Sequence, residues 1–453
     1  VVIRLGWGDI TPKHACNLRI HPRAGPWFSA KADKKEILEI VASNKPRFFY
    51  GYVVVVAAFF IQAMTWGINN SYGVFFNPLL TEFGWLRATI SGAVSMNFLV
   101  HGIVSIFMGG LNDRFGPRLI MTGCGFLMGL GYLLMTSVNA VWQLYLFYGL
   151  VAGIGLGGMD VIMLSTIARW FEKKRGTMSG LIKTGTGVGM LIMPIFITWL
   201  ITIYGWRIAF AVLGILILVM IISLSQFLVR DPAKKGLLPD NEREAKVSKM
   251  DSSEHGLSFH ETVHTRQFWT VCAVYFLILA CVYTILLHIV QHAIDLGISA
   301  TSAASVLAAI GGVSIAGRFL MGSAGDRIGI RMALLVCLLF LFAGLIWLQV
   351  AKTLWMFYVF AALYGFAHGG VFALGSPLVA GLFGTKSHGL IFGIVIFSST
   401  IGGAIGPILA GHIFDVTRSY QAVFYILAGL SITGLILTAS LKPVRQVPSR
   451  IRF

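Results

Sequence analysis

The chain reads as an all-α membrane protein of twelve transmembrane helices in two six-helix bundles, and three observations lead there. Of its 453 residues 57% are apolar and only 12% are charged, a balance that suits a lipid-embedded bundle and not a soluble globule. Apolar runs long enough to cross a bilayer, about 20 residues each, begin near Gly51, Ile90, Leu119, Val141, Ser179, Arg207, Phe268, Ser302, Met332, Leu354, Gly389 and Tyr420. Finally, the chain repeats itself. GGLNDRFGPR from Gly109 to Arg118 returns 213 residues later as GSAGDRIGIR, and the same displacement pairs Gly84 with Gly297, Gly176 with Gly389, Gly180 with Gly393, Gly189 with Gly402 and Pro194 with Pro407. Duplicated halves of this kind hold a ligand at mid-depth between them.

The formal net charge of +17 does not indicate a nucleic-acid binder, because the basic residues lie in the loops. They concentrate before Gly51, in the 2–3, 4–5, 8–9 and 10–11 turns, in the stretch 230–266 and beyond Leu441, which assigns both termini to the cytoplasm by the positive-inside rule. The domains expected are a disordered tail over 1–46, a first bundle over 47–229, a cytoplasmic linker over 230–266, a second bundle over 267–441 and a cytoplasmic tail over 442–453. The five cysteines lack paired spacing, so neither a disulfide framework nor a zinc site is expected, and no cofactor is implied.

Only three charged residues fall within spans: Asp160, Lys183 and Arg318. Arg318 precedes Asp326 by eight residues, and at 1.5 Å per helical residue it lies about 12 Å from the face where that turn emerges. Asp160 and Lys183 come out level with it by the same count from Arg169 and Arg175. A guanidinium at mid-depth is costly without an anionic partner or water. Asp160 and Lys183, on antiparallel neighbours joined by WFEKKRG, are placed to pair, either as a structural strut or as part of a site.

Other polar residues sort by span. The outer end of the first span carries Trp66, Asn69, Asn70, Ser71 and Tyr72, which either line a cavity or reach the headgroups. Asn97, His101 and Ser105 share one face of the second. Glycines 149, 153 and 157 give the fourth a close-packing face. Tyr283 and His288 mark the seventh, with His292 expected at the outer surface, and Tyr364 shares a face with His368 in the tenth. In the two repeated turns, Gly109, Asp113, Arg114, Gly116, Arg118, Gly322, Asp326, Arg327, Gly329 and Arg331 are expected to form a cytoplasmic gate, the glycines allowing close approach and the charges capping helix ends.

Twelve spans, related halves and a G-x-x-x-D-R-x-G-x-R loop in both resemble the major facilitator superfamily, over Gly51 to about Leu441. YGYVVV, WFEKKRGTMSGLIKTGTGVG and Arg318 in GRFLMG narrow the resemblance to the monocarboxylate transporters and the oxalate/formate antiporter group. That resemblance implies alternating-access transport of a small organic anion, with Arg318 receiving the substrate carboxylate. Two departures matter. Animal-type monocarboxylate transporters place a lysine where Asn70 stands and an aspartate where Ser314 stands, so their proton relay does not carry over. The second cation of the oxalate exchangers, near Ser399, is absent too.

With all three buried charges ionised the site carries one net positive charge, which points to a monocarboxylate such as lactate, pyruvate or formate. Arg318, Lys183, Asn70, Trp66, Tyr364, His368 and Ser314 are the expected substrate residues, and Asp160 and His101 the proton carriers. A monomer in lipid, with no nucleic-acid partner and no enzymatic constellation, is expected. The alternatives are dicarboxylate exchange through an Arg318–Lys183 clamp and a transporter-like membrane sensor.

Overall fold

The computed structural model describes residues 49–85, 87–241, 256–417 and 419–442. The tail expected over 1–46, residues 242–255 of the linker and the chain after Lys442 lie outside the described residues. The rest is helical, apart from one isolated bridge between Gly256 and Gly384.

The first bundle contains α1 (Gly51–Asn70), α2 (Arg87–Phe115), α3 (Pro117–Leu134) and α4 (Val141–Trp170). A continuous stretch, Arg175–Ser225, follows and turns at Gly205, whose φ of 82° and ψ of 162° no helix accommodates, so it divides into α5 before the glycine and α6 after it. Eleven unbroken apolar stretches are therefore twelve spans. The second bundle contains α7 (Arg266–Asp295), α8 (Ala300–Ile328), α9 (Ile330–Leu348), α10 (Leu354–Phe383), α11 (His388–Thr417) and α12 (Gln421–Ser440). The expected starts fall within a few residues of these. Thr265 and Ser299 cap α7 and α8, their hydroxyls accepting the Phe268 and Ser302 amides.

In lipid, helices associate through close packing and polar contacts more than through burial of apolar area. The expected glycine face of α4 is used in this way against α2: a side chain at Gly153 or Gly157 would press on Val100 or Val104. Just before Gly153 α4 widens into a π-helical segment, Tyr145–Ala152, and the Asn97 amide of α2 donates to the Tyr148 carbonyl at 2.8 Å. Within the bundles α1 packs on α5, α7 on α11 and α8 on α10. Between them α5 lies against α8 and α2 against α11.

The polar end of α1 turns inward at Asn69, Ser71 and Tyr72, while Asn70 is exposed. Tyr72 stacks on Tyr148 with centroids 3.9 Å apart, and Ser71 bonds the Gly67 carbonyl. His292, expected at the surface, is instead half-buried among Phe357, Tyr420 and Phe424, because its helix face turns toward α12. Cys124, Cys272, Cys281 and Cys337 are buried and unpaired, as packing residues.

Candidate functional site

Where the bundles meet, the three buried charges come together. Lys183 Nζ lies 2.6 Å from Asp160 Oδ1, so the expected pair forms. Two groups of α1 join it: Gln62 Nε2 donates to the same oxygen at 2.6 Å and Trp66 Nε1 at 3.1 Å. Thr186, one turn beyond Lys183, donates to Gln62 Oε1 at 3.0 Å. All three donors converge on Oδ1. Oδ2 takes no hydrogen bond from the described residues.

Arg318 approaches from α8 of the other bundle. It is 3% exposed, so it does not face lipid, and no carboxylate among the described residues is bridged to it. Its Nε and Nη1 are buried without a hydrogen-bond partner. The arginine lies along α5 at Gly187, where a Cβ would come within 2.8 Å of Nη1. Buried donors that find no protein acceptor are rare and costly, and here they sit at the junction of two bundles beside a second cation.

The walls are aromatic. Lys183 Nζ lies 6.0 Å from both the Trp66 ring of α1 and the Phe372 ring of α10, which places the ammonium on the seam. His368 meets Phe372 edge-on at 5.1 Å and its Nδ1 is unpartnered. His101 meets Trp66 edge-on at 5.6 Å with both ring nitrogens buried and unpartnered. Phe98 of α2 touches Tyr283 of α7 across the seam at 6.3 Å.

Three expected substrate residues are spent on backbone instead. The Tyr364 hydroxyl donates to the Val282 carbonyl at 2.7 Å, tying α10 to α7. Ser314 bonds Gly311 within α8, and Asn70 bonds Trp66 within α1. Tyr364 and Ser314 are buried, where a neighbouring carbonyl is the acceptor within reach, and the exposed Asn70 folds back on its own helix. Gln62, Thr186 and Phe372 were not anticipated. The legible signals were Gln62 four residues before Trp66 and Thr186 three after Lys183, which put each pair on one helix face.

The repeated turns lie at one end of this seam. Asp326, at the end of α8, accepts the Gly176 amide at 2.6 Å, and its other oxygen accepts the Thr177 amide and hydroxyl at 2.7 and 2.6 Å, capping α5. Asp113, at the end of α2, accepts the Gly389 and Leu390 amides of α11 at 3.3 and 3.1 Å and pairs with Arg169 at 2.8 Å. Each aspartate thus caps a helix of the opposite bundle.

The backbones touch beside these caps. A Cβ on Gly109 would lie 2.0 Å from the Gly389 carbonyl, and one on Gly176 2.3 Å from that of Gly322. Ser105 to the Gly393 carbonyl and Ser376 to the Leu164 carbonyl add two more bonds across the seam. Gly116 and Gly329 turn the chain at φ 88° and 90°. Arg114, Arg118 and Arg327 are exposed, and Arg331 bonds the Ala439 carbonyl, so the turn arginines stay within their own bundles.

The profile of the Major Facilitator Superfamily matches residues 55–323 and again 289–451. The chain belongs to the Major Facilitator Superfamily. Among its relatives, Monocarboxylate transporter 13 of Rattus norvegicus is 30% identical over 85% of this chain and 87% of its own. Monocarboxylate transporter 7 of Homo sapiens is 24% identical over 88% and 87%, and MFS transporter asaE of Aspergillus flavus 25% over 84% of each. Solved structures share the fold. The E. coli fucose:proton symporter FucP superposes with a TM-score of 0.66 at 15% identity over 85% of this chain and 98% of that one. The human organic anion transporter MFSD10 gives 0.65 at 17% over 87% and 100%. As a member of this superfamily the protein is an integral membrane transporter and not an enzyme.

Proposed function

We propose that this transporter moves a small monocarboxylate, of the size of lactate, pyruvate or formate, by alternating access with proton coupling. The observation that carries the reading is Arg318, a permanent cation at the bundle seam, buried and without a carboxylate partner among the described residues. A planar guanidinium fits a carboxylate through two parallel hydrogen bonds. The substrate's own carboxylate is the missing partner. His368 and His101 offer ring nitrogens to its polar substituent, Trp66 and Phe372 flank its apolar part, and Tyr364, Ser314 and Asn70 support the walls.

The charge count supports one carboxylate per cycle. Asp160, Lys183 and Arg318 sum to one positive charge, and a substrate anion arriving with one proton leaves that sum unchanged. A dianion arriving with one proton would lower that sum by one, and the Asp160–Lys183 pair, 2.6 Å apart, supplies no net charge to offset it. The relatives named as monocarboxylate transporters agree with the one-carboxylate reading. We assign the turn face to the cytoplasm from its basic loops, with bundles over 47–229 and 267–441, the linker over 230–266, and a monomer in lipid as the working unit.

The test is uptake of labelled lactate, pyruvate and formate into proteoliposomes. Arg318→Gln removes an interaction of about 2–5 kcal/mol between buried charges, so uptake is expected to fall about thirtyfold or more while the protein stays folded. Unchanged uptake by this variant refutes the assignment. Asp160→Asn is expected to lose pH-gradient-driven accumulation more than counterflow.

A further inference from the structure

We infer that Gln62 is a positioning residue for proton coupling: it fixes Asp160 so that Oδ2 takes the proton while Lys183 is released to the substrate. This rests on the proposed transport reading and deepens it. Gln62 is fully buried. Thr186 donates to its Oε1, so the amide nitrogen must face Asp160; the flipped amide would set two acceptors 2.6 Å apart. With Gln62, Trp66 and Lys183 all on Oδ1, a proton has one vacant oxygen to bind, and binding there disturbs neither Gln62 nor Trp66.

The three donors then part company. A protonated Asp160 still offers Oδ1 as a carbonyl acceptor to the neutral amide and indole, so these bonds survive. The ammonium loses its counter-charge. Lys183 already stands on the seam between Trp66 and Phe372, and the incoming carboxylate held by Arg318 is the anion left to it. The proton goes to Oδ2, one Nζ hydrogen bond passes from Asp160 to the substrate, and Gln62 holds the aspartate in place throughout. The substrate would thereby be gripped from both bundles, by Lys183 and by Arg318, only when Asp160 is protonated.

The titratable groups facing Asp160 are Lys183 on α5, His101 on α2, Arg318 on α8 and Tyr283 on α7. On α3, Cys124 meets α4 at Gly158. The histidines of α10 and α11 face elsewhere, His368 toward Arg318 and His388 toward Arg169 and Arg175. Among the described residues α1 brings no charge near Asp160, only Gln62 and Trp66.

The test needs no knowledge of the substrate. The infrared carboxylic-acid band of the purified, reconstituted protein is titrated with pH, and the part lost in Asp160→Asn is assigned to Asp160. Because the Gln62 bond persists to the neutral carbonyl, only its excess strength toward the charged carboxylate moves the midpoint, and Gln62→Leu is expected to shift it alkaline by about one pH unit. Thr186→Val, which frees the amide to flip, is expected to move it the same way by less. Should the leucine variant not fold, Thr186→Val decides alone. An unmoved midpoint in the folded variants, or a wild-type protein with no Asp160-dependent band, overturns the inference. Loss of carboxylate uptake in Arg318→Gln with unmoved midpoints here would leave the transport reading standing and remove only the role of Gln62.

Discussion

Replacing Asp326 by alanine isolates what holds the turn face shut. The substitution deletes three hydrogen bonds of 2.6–2.7 Å to the first residues of α5, two from amides and one from a hydroxyl. Loss of an N-cap costs about 0.5–2 kcal/mol, and the carboxylate and the added hydroxyl bond raise the figure, while water takes up the same groups when the bundles separate. The balance is about 2–3 kcal/mol, which alters the ratio of shut to open molecules by about 30- to 150-fold.

Spin labels replacing Phe115 and Lys386, exposed on opposite bundles at this face, report the change as an interspin distance. The parent is expected to give one short distance, and Asp326→Ala a second, longer one. Asp113→Ala should act in the same direction but by less, since its caps on α11 are longer and its pair with Arg169 lies within the first bundle. Unaltered distances in both variants would refute the capping argument, whatever the protein carries.

Two further outcomes follow from the geometry. Gly109→Val places side-chain atoms where even a Cβ would lie 2.0 Å from the Gly389 carbonyl, so α2 and α11 cannot seat, and the same label pair should report the longer distance predominantly. At the opposite end, hydrogen bonds from Trp206 and Arg207, at 2.6 and 2.5 Å, hold the Glu82 carboxyl below its ordinary value. A depressed carboxyl contributes stability that is present above its unfolded value and lost as pH falls through the folded one. The melting-temperature difference between the parent and Glu82→Gln should therefore be small, as for any exposed pair, and vanish in acid; a difference that grows in acid would contradict this.

Much of the fold was legible because membrane spans announce themselves. Twelve runs and their starts follow from hydropathy, and the break at Gly205 lies just before the start expected near Arg207. The Asp160–Lys183 pair followed from counting residues to a common face. What the chain hid was the third dimension of polar contacts: Gln62 sits alone in VVVVAAFFIQAMTW, with no local sign that its amide reaches α4. The hydroxyls of Tyr364 and Ser314 looked available in sequence and proved to be spent on carbonyls, since in an apolar medium the nearest acceptor wins. The duplication held more than it was asked for. Asp113 and Asp326 stand 213 residues apart, as do Gly176 and Gly389, so either cap implied the other.

Apart from the Thr177 hydroxyl, the donors of these caps are main-chain amides, and the surfaces beside them are bare glycine backbones. A latch of this make has few rotamers to reorganise as it parts, and its receiving half, main chain but for one hydroxyl, survives most side-chain substitutions. The two aspartates accept nearly all of its bonds, so the tension of the gate is adjustable, one residue per bundle, without reshaping the chamber it guards.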